Sequence, residues 1–428
     1  MSTKGTTSIF KKTAKGFRDH VPDLNTTRFQ TAKDQDAYQY VEEFKKTQYP
    51  PWIYGLTQTW AELLKEPYVG VTIDGKVREG LFPKQDQGVP IEKIVSAVEN
   101  VQSKLSESQK EKLQFPLNAE EWRCWSNPEF LLRPFGLRLE DIDKTIAKHI
   151  LTVIEETFSP EGYQKAQSAM RINAFLGQTC HVEKVMNEYS YNFLLFGIPS
   201  VTEPWGWSLY GHHLCLNVFL YSKQIVISPT FTGAEPNLID EGPFVGTEIL
   251  CAEGELGLEL MQSLPDEDKH KAQIYKLLKD PAMLISGDKK VDRWNEDDQR
   301  HVCGAFRDNR IVPYEGVPVS KLTDKQRDLV VAIAEEFCLY LPQPARKMRL
   351  DLVREHIDET YFCWIGSWGN EDAFYFRIQS PVIIVEFDHH SGVFLSNKEP
   401  AKYHTHTILR TPNAGDYGNA LRKKNDWV

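Results

Sequence analysis

"WSLYGHHLCLNVFLYSKQIVISPTF", residues Trp207 to Phe231, is where the chain changes its period. Aromatic and β-branched residues crowd both sides of Ser222-Lys223, the composition of two strands joined by a tight turn. Just upstream, "LRLEDIDKTIAKHILTVIEETFSPEGYQKAQSAMRINAFLGQT" has helical spacing instead, with Ser159-Pro160 marking the boundary between two helices. Downstream, "EILCAEGELGLELMQSL", "LTDKQRDLVVAIAEEFCLYL" and "ARKMRLDLVREHI" return to the helical period. The last third is strand-like again: "TYFCWIG", "AFYFRIQS", "PVIIVEFDHH", "GVFLSN" and "YHTHTILR" follow one another across short turns. Helical and strand blocks kept apart in this way predict an α+β protein. The expected architecture is a helical N-terminal half packed on a largely antiparallel β-sheet built from hairpins at 205–231 and 360–410. Regular βαβ alternation is missing, as are GxGxxG and the P-loop signature, which argues against a doubly wound nucleotide-binding fold.

Toward the N-terminus, residues 1–34 are polar and lysine-rich and read as a loosely held arm, leaving 35–428 as a single domain. "QDAYQYVEEFKKTQ" and "LTQTWAELLK" read as short amphipathic helices around a turn at "PPWIYG". "YVGVTIDGKVREGLF" has β-branched residues on both sides of Asp74-Gly75 and predicts a further hairpin. "IEKIVSAVENVQSKLSESQKEKLQF" has helical spacing with a break near Ser106.

Of 428 residues, 41% are hydrophobic and 26% charged, the balance of a globular protein able to bury its own core. A net charge of −10 opposes binding to phosphate backbones, so nucleic acid is not an expected partner. The one basic group, Lys11, Lys12, Lys15 and Arg18, lies in the polar arm with no aromatic ladder and reads as solvated. No apolar run has the length of a signal peptide or a membrane span, so no membrane partner is expected. Seven dispersed cysteines without a CxxC suit a reducing compartment, and a cytoplasmic protein is the expectation. The sequence assigns no oligomeric state.

The chemistry is carried by histidines. Side chains two apart on a strand share a face, so His404 and His406 point together, with Ile408 and Arg410 continuing the row. Two imidazoles at that spacing can chelate one ion, imidazole being the usual protein ligand for zinc, iron and copper. "GHHLCLN" supplies His212 and His213. Read as strand, they point to opposite faces, His212 with Leu214, Leu216 and Val218, His213 with Cys215 and Asn217. One of them can complete a three-histidine set with an open position; the other reading is a set of hydrogen-bonded structural histidines.

Glu386 and Asp388 share a strand face in "VIIVEFDHH". Glu386 can be a ligand, an acceptor for a ligating histidine, a general base, or an ion-pair partner of Arg377. His389 and His390, ahead of Ser391-Gly392, read as exposed turn residues. Arg377 and Arg410 either fork a substrate carboxylate or neutralise Glu386 and Asp388. "TPNAGDYG" reads as a turn whose Gly415 and Gly418 permit positive φ and which can bring Asp416 near the histidines. Trp205 and Trp207 of "PWGW" either pack as a strand entry or line a pocket.

The blocks "FGIPSVTEPWGWSLYGHHLCLNVFL", "SPTFTGAEP", "TYFCWIG", "FYFRIQSPVIIVEFDHH" and "HTHTILRTPNAGDYG" resemble those of the domain-of-unknown-function family DUF3500. That family has bacterial and fungal members and no generally assigned activity. The resemblance is strongest over residues 160–428 and implies one continuous domain. On the family's pattern fall Trp205 and Trp207, His212, His213 and Asn217, Glu386 and Asp388, His404 and His406, Arg410 and Asp416. One departure is "PNAGDYG", where the family usually has Gly at the position of Ala414 and Asn at that of Gly415.

The resemblance supplies no reaction, so the functional expectation rests on the residues. It is a metal-dependent enzyme acting on a small, carboxylate-bearing molecule. His404, His406 and His212 or His213 hold one divalent ion, zinc first, with iron or copper as alternatives. Activation of water, hydrolase-like chemistry, is favoured, with Glu386, Arg410 and Asp416 as catalytic candidates. Trp205, Trp207, Asn217 and Arg377 are the candidates for substrate contact. The alternatives are a histidine-ligated iron or copper oxidase and a non-catalytic binding protein with structural histidines.

Overall fold

Both predicted strand blocks enter one 12-stranded sheet, in a computed structural model that describes residues 15–288, 291–296 and 298–428. The strands are β1 (Gln114–Phe115), β2 (Leu137–Arg138), β3 (Tyr191–Phe196), β4 (Pro204–Gly211), β5 (Leu214–Tyr221), β6 (Gln224–Ala234), β7 (Gln273–Tyr275), β8 (Val317–Pro318), β9 (Tyr361–Ile365), β10 (Tyr375–Gln379), β11 (Ile384–His389) and β12 (Thr405–Arg410). They pair in the order β1-β3-β4-β5-β6-β12-β11-β10-β9-β7, with β2 beside β3 and β8 beside β9. The pairings are antiparallel apart from β1 with β3 and β7 with β9, and the protein is α+β as expected. The junction that positions the site is β6 against β12, where Gly233 lies opposite His406 and Phe231 opposite Ile408. It joins a strand block ending at Ala234 to one beginning at Tyr361, so residues remote in sequence share one surface.

Alternation along the strands separates the two faces. Phe376, Val385, Phe387 and Leu409 point to one face and pack in the largest apolar cluster with residues of the helices Lys144–Thr157, Pro160–Thr179, Cys251–Ser263 and Asp324–Phe337. Each large side chain withdrawn from water in this way contributes roughly 1.5–3 kcal/mol. The other face carries Tyr375, Arg377, Glu386, Asp388, His406, Ile408 and Arg410, in register across three strands. Loops cover it: Trp122, Trp125, Val302, Cys303, Phe306 and Tyr417 cluster there with Ile384 and Ile408. The polar row is therefore buried.

Helix starts follow their capping chemistry. Ser159 accepts from the Gly162 N–H to open Pro160–Thr179, and Asp36, Ser106 and Thr323 close capping boxes with Gln39, Gln109 and Gln326.

Several local readings change. "PPWIYG" is no turn but the start of the helix Pro51–Leu64, where Pro51 at the first position has no needed N–H to lose. "YVGVTIDGKVREGLF" forms no hairpin; Thr72 makes an isolated bridge to Ile311, and Gly70, Gly75 and Gly80 at positive φ bend the segment too often for a ladder. "GVFLSN" stays out of the sheet because the N–H groups of Val393, Phe394 and Leu395 donate to the Glu235 carboxylate. His212 and His213 are not strand residues; they are the two-residue turn between Gly211 and Leu214, with His213 at φ 61°.

Residues 1–14, with Lys11 and Lys12 of the predicted arm, lie outside the described residues. From there the segment is anchored rather than loose. Phe17 is buried against Phe175 and Tyr403, Phe29 packs on Phe394, and Arg18 pairs with Asp240 and Glu241. Among the described residues, no helix is long and apolar enough to cross a membrane.

Candidate metal centre

His406 is the middle of a convergence. Its Nε2 lies 3.1 Å from Nε2 of His404 and 3.2 Å from Nε2 of His213, and all three residues are buried. Two nitrogens about 2.0–2.1 Å from one tetrahedral zinc stand about 3.3 Å apart, so these rings already have the span of a shared ligand set. The β4–β5 turn swings His213 over β6, and Gly233 makes the room: a Cβ there would lie 2.8 Å from His213 Cδ2 and 2.9 Å from His406 Cδ2. His212 is the histidine left out. Its Nδ1 lies 2.9 Å from Asn173 Oδ1, and its ring stacks on that of His213.

The surroundings keep these rings in ligand form. His404 Nδ1 donates to the Ser391 carbonyl at 2.8 Å, which leaves Nε2 as the lone pair. Behind it, 3.7 Å from the same Nδ1, stands Glu235, gripped by the backbone of Val393, Phe394 and Leu395. Burial pushes His213, His404 and His406 below the usual imidazole range, and neighbouring imidazoles push His213 and His406 further. Neutral imidazole is the metal-binding form.

A second group stands beside the first. His301, Asp388 and His390, all buried, bring their ligand atoms within 4.8 Å of one another. The His390 ring centroid is 3.8 Å from that of His406. His389 and His390 are thus not exposed turn residues; each is 1% exposed. The segment after β11 folds back over them, with the His390 N–H donating to the His404 carbonyl and His389 Nδ1 accepting from the Phe374 N–H.

Asp388 receives Arg300 Nε at 2.6 Å. Glu386 accepts from the N–H groups of Val302 and Cys303, both at 2.8 Å, and from the Tyr375 hydroxyl at 2.6 Å. Burial alone would raise its carboxyl, but His301 and Arg377 outweigh burial and hold it well below the usual range. His301 is the counterpart: desolvation disfavours its charge, yet Glu386, Asp388 and Asp298 outweigh it and raise its pKa.

The remaining candidates lie elsewhere. Arg410 binds Asp308 at 2.7 Å, Asp416 at 3.2 Å and the carbonyls of Cys303 and Gly304; Arg377 binds Glu315 at 2.7 Å. Both guanidiniums thus pair with carboxylates of the protein itself, while Arg377 Nη1 is left without a hydrogen-bond partner. Asp416 accepts from the Thr411 N–H and the Ser228 hydroxyl and closes its own turn. In that turn positive φ falls on Asn413, Ala414, Tyr417 and Gly418, while Gly415 is at −75°. Ala414 thus holds, at φ 65°, the place where the family usually has the residue that adopts it without strain. Trp205 and Trp207 are buried in the helix-side core, Trp205 donating to the Ser200 carbonyl and Trp207 packed between Phe158 and Phe193. Asn217 accepts from Ser208 and donates to the Pro229 carbonyl, filling the irregularity in the β5–β6 ladder.

Sequence reasoning missed the segment from Asp298 to Asp308. It has no periodic pattern, so its single His301 carries no signal; the alternation of Asp298, Arg300, His301, Arg307 and Asp308 is visible only as charge. In the structure it is the wall facing the strand histidines. A cleft of about 610 Å³ reaches that wall at Gln299, Arg300 and Ser391, and both lysines (Lys276, Lys279, Lys398) and carboxylates (Glu296, Glu371, Asp372, Glu399) line it. Gln299 donates to the Ser391 hydroxyl at 2.8 Å. A second cleft of about 590 Å³ lies toward Tyr340, Arg349, Leu409 and Thr411 on the opposite face of β12 and touches none of these histidines.

Comparison with curated proteins and with solved structures returned no match. The family comparison did: the profile described as "Protein of unknown function (DUF3500)" matches residues 87–419. That span holds both histidine groups and all twelve strands, and the chain belongs to the DUF3500 family.

Proposed function

We propose that the protein is a metal-dependent enzyme acting on a small polar molecule. The observation that carries this is the meeting of three buried imidazoles, with His406 Nε2 3.1 Å from that of His404 and 3.2 Å from that of His213, and all three ligand atoms within 4.8 Å of one another. Three histidines leave a tetrahedral ion one open position. A divalent ion there supplies Lewis acidity toward water and toward an oxygen of the substrate. Hydrolase-like chemistry is the favoured reaction, with water adding to an electrophilic centre and the leaving group carrying away the proton.

The chain's own groups divide the remaining work. Glu235 and the Ser391 carbonyl orient His404. Glu386, already accepting three hydrogen bonds, positions His301 and the loop around it rather than taking a proton. Substrate enters by the cleft closed at Gln299 and Ser391, whose lining of Lys276, Lys279, Arg300 and Lys398 alongside Glu296, Glu371, Asp372 and Glu399 suits a polar solute. An iron or copper oxidase is the second reading, favoured by one feature: the first group offers imidazole nitrogen alone, a donor set that suits those metals as well as zinc.

The test is the metal content of protein purified without an affinity tag. At least one divalent ion per chain is expected, with His404→Ala/His406→Ala carrying at least one fewer. Equal content in the two proteins would sink the reading. Zinc with no oxygen uptake supports the hydrolase-like form, and iron or copper with oxygen uptake the other.

A further inference from the structure

We propose that the centre is dinuclear, with His301, Asp388 and His390 holding a second divalent cation beside the one on His213, His404 and His406. The inference rests on the metal-site reading above and extends it.

His301 provides the first argument. It is fully buried and neither ring nitrogen has a hydrogen-bond partner, which is costly for an imidazole unless something else engages it. Its Nδ1 is 3.9 Å from Glu386 Oε2, and its ligand atom lies within 4.8 Å of those of Asp388 and His390. A carboxylate behind the ring, here at ion-pair rather than hydrogen-bond distance, is the usual outer support of a metal-bound histidine.

The pair His390 and Asp388 provides the second. His390 Nε2 is 3.0 Å from Asp388 Oδ2 but out of hydrogen-bond geometry. The two atoms come this close without a hydrogen bond between them, a spacing that ligands of a common ion share.

The third argument is symmetry of the supporting carboxylates. Glu235 stands behind His404 and Glu386 behind His301, at 3.7 and 3.9 Å from the respective Nδ1 atoms. Both are fully buried, and among the described residues neither makes an ion pair with a lysine or arginine, although Arg377 lies opposite Glu386 and offsets part of its burial. Buried carboxylates need compensating cations, and one divalent ion per histidine group supplies them. The His390 and His406 rings form the shared wall. In two-metal sites, ions about 3.5–4 Å apart act together on the attacking and leaving oxygens, so a substrate spanning both would be clamped at two atoms.

Tag-free protein is stripped of metal and titrated with cobalt(II), read by visible absorption and by elemental analysis after desalting. Wild type is expected to saturate at two equivalents per chain. His301→Gln removes a ligand that makes no protein hydrogen bond and is expected to saturate at one, as is Asp388→Asn. Saturation of wild type at one equivalent, with His301→Gln unchanged, overturns the second site while leaving the first in place. No uptake by wild type removes both. Copper(II) loading gives an independent readout: adjacent ions couple and quench the paramagnetic signal, and His301→Gln restores the signal of a single ion. An uncoupled signal from the wild type with two ions bound overturns the shared wall.

Discussion

Arg410 and His406 lie on the same face of β12, both buried, and meet opposite surroundings. Arg410 is closed: two carboxylates and two carbonyls take its hydrogens, and Asp308 is further held by Arg123 and Tyr417. His406 is open: its Nε2 faces two other imidazole nitrogens, and its Nδ1 has no partner. Burial is equal in the two regions, so burial does not distinguish a site from a strut. What distinguishes them is whether the protein fills the polar valences it has buried. A filled network stabilises only as long as every partner remains. Three converging imidazoles form a group that could hold an ion.

The comparison can be broken most decisively at the histidines. His404→Ala/His406→Ala should weaken ion binding at that set by more than about 100-fold, measured by competition with a chromogenic chelator. The unfolding midpoint of the metal-free protein should change little. A large fall in metal-free stability would make the histidines a strut like Arg410. Arg410→Met should do the reverse, lowering unfolding free energy by about 3–5 kcal/mol in urea because Asp308 and Asp416 lose a buried counter-ion, while metal content is unchanged.

Glu235→Gln sharpens the contrast. It keeps the shape but removes the charge behind His404, and metal affinity should fall by about 10–100-fold with the same metal bound. The acid response of the closed region is smaller. Burial raises the Asp308 carboxyl, but Arg410 and Arg123 outweigh burial and leave it below the usual range. Its contribution is therefore complete above the unfolded value of about 3.9 and is lost as pH falls through the lower folded value. Urea midpoints between pH 5 and pH 2 should fall more steeply for wild type than for Asp308→Asn. Equal slopes would show that the ion pairs carry no linkage. The smallest effect is expected at His212→Ala, which gives up the contact with Asn173: about 1 kcal/mol of stability, with metal uptake preserved.

Much of this contrast was legible in the chain. The strand period placed His404, His406, Ile408 and Arg410 in one row and Glu386 with Asp388 in another, and β11 and β12 pair those rows face to face. The choice between His212 and His213 was not legible. It depends on a turn at φ 61° that breaks the alternation on which the reading relied. His301 was out of reach because a loop has no period. His390 looked exposed because Ser391-Gly392 signals a turn, and nothing local tells whether another segment will cover it.

The order of strong local patterns in the sequence determined the helices, their caps, the sheet class and the shared face of the two β12 histidines, since those depend on neighbours within a turn or two. The meeting of His213 with His406, the enclosure of His390 and the approach of His301 were decided by tertiary structure. Each depends on the β6–β12 junction or on a loop laid across it, and contacts of that range leave no periodic trace in the chain.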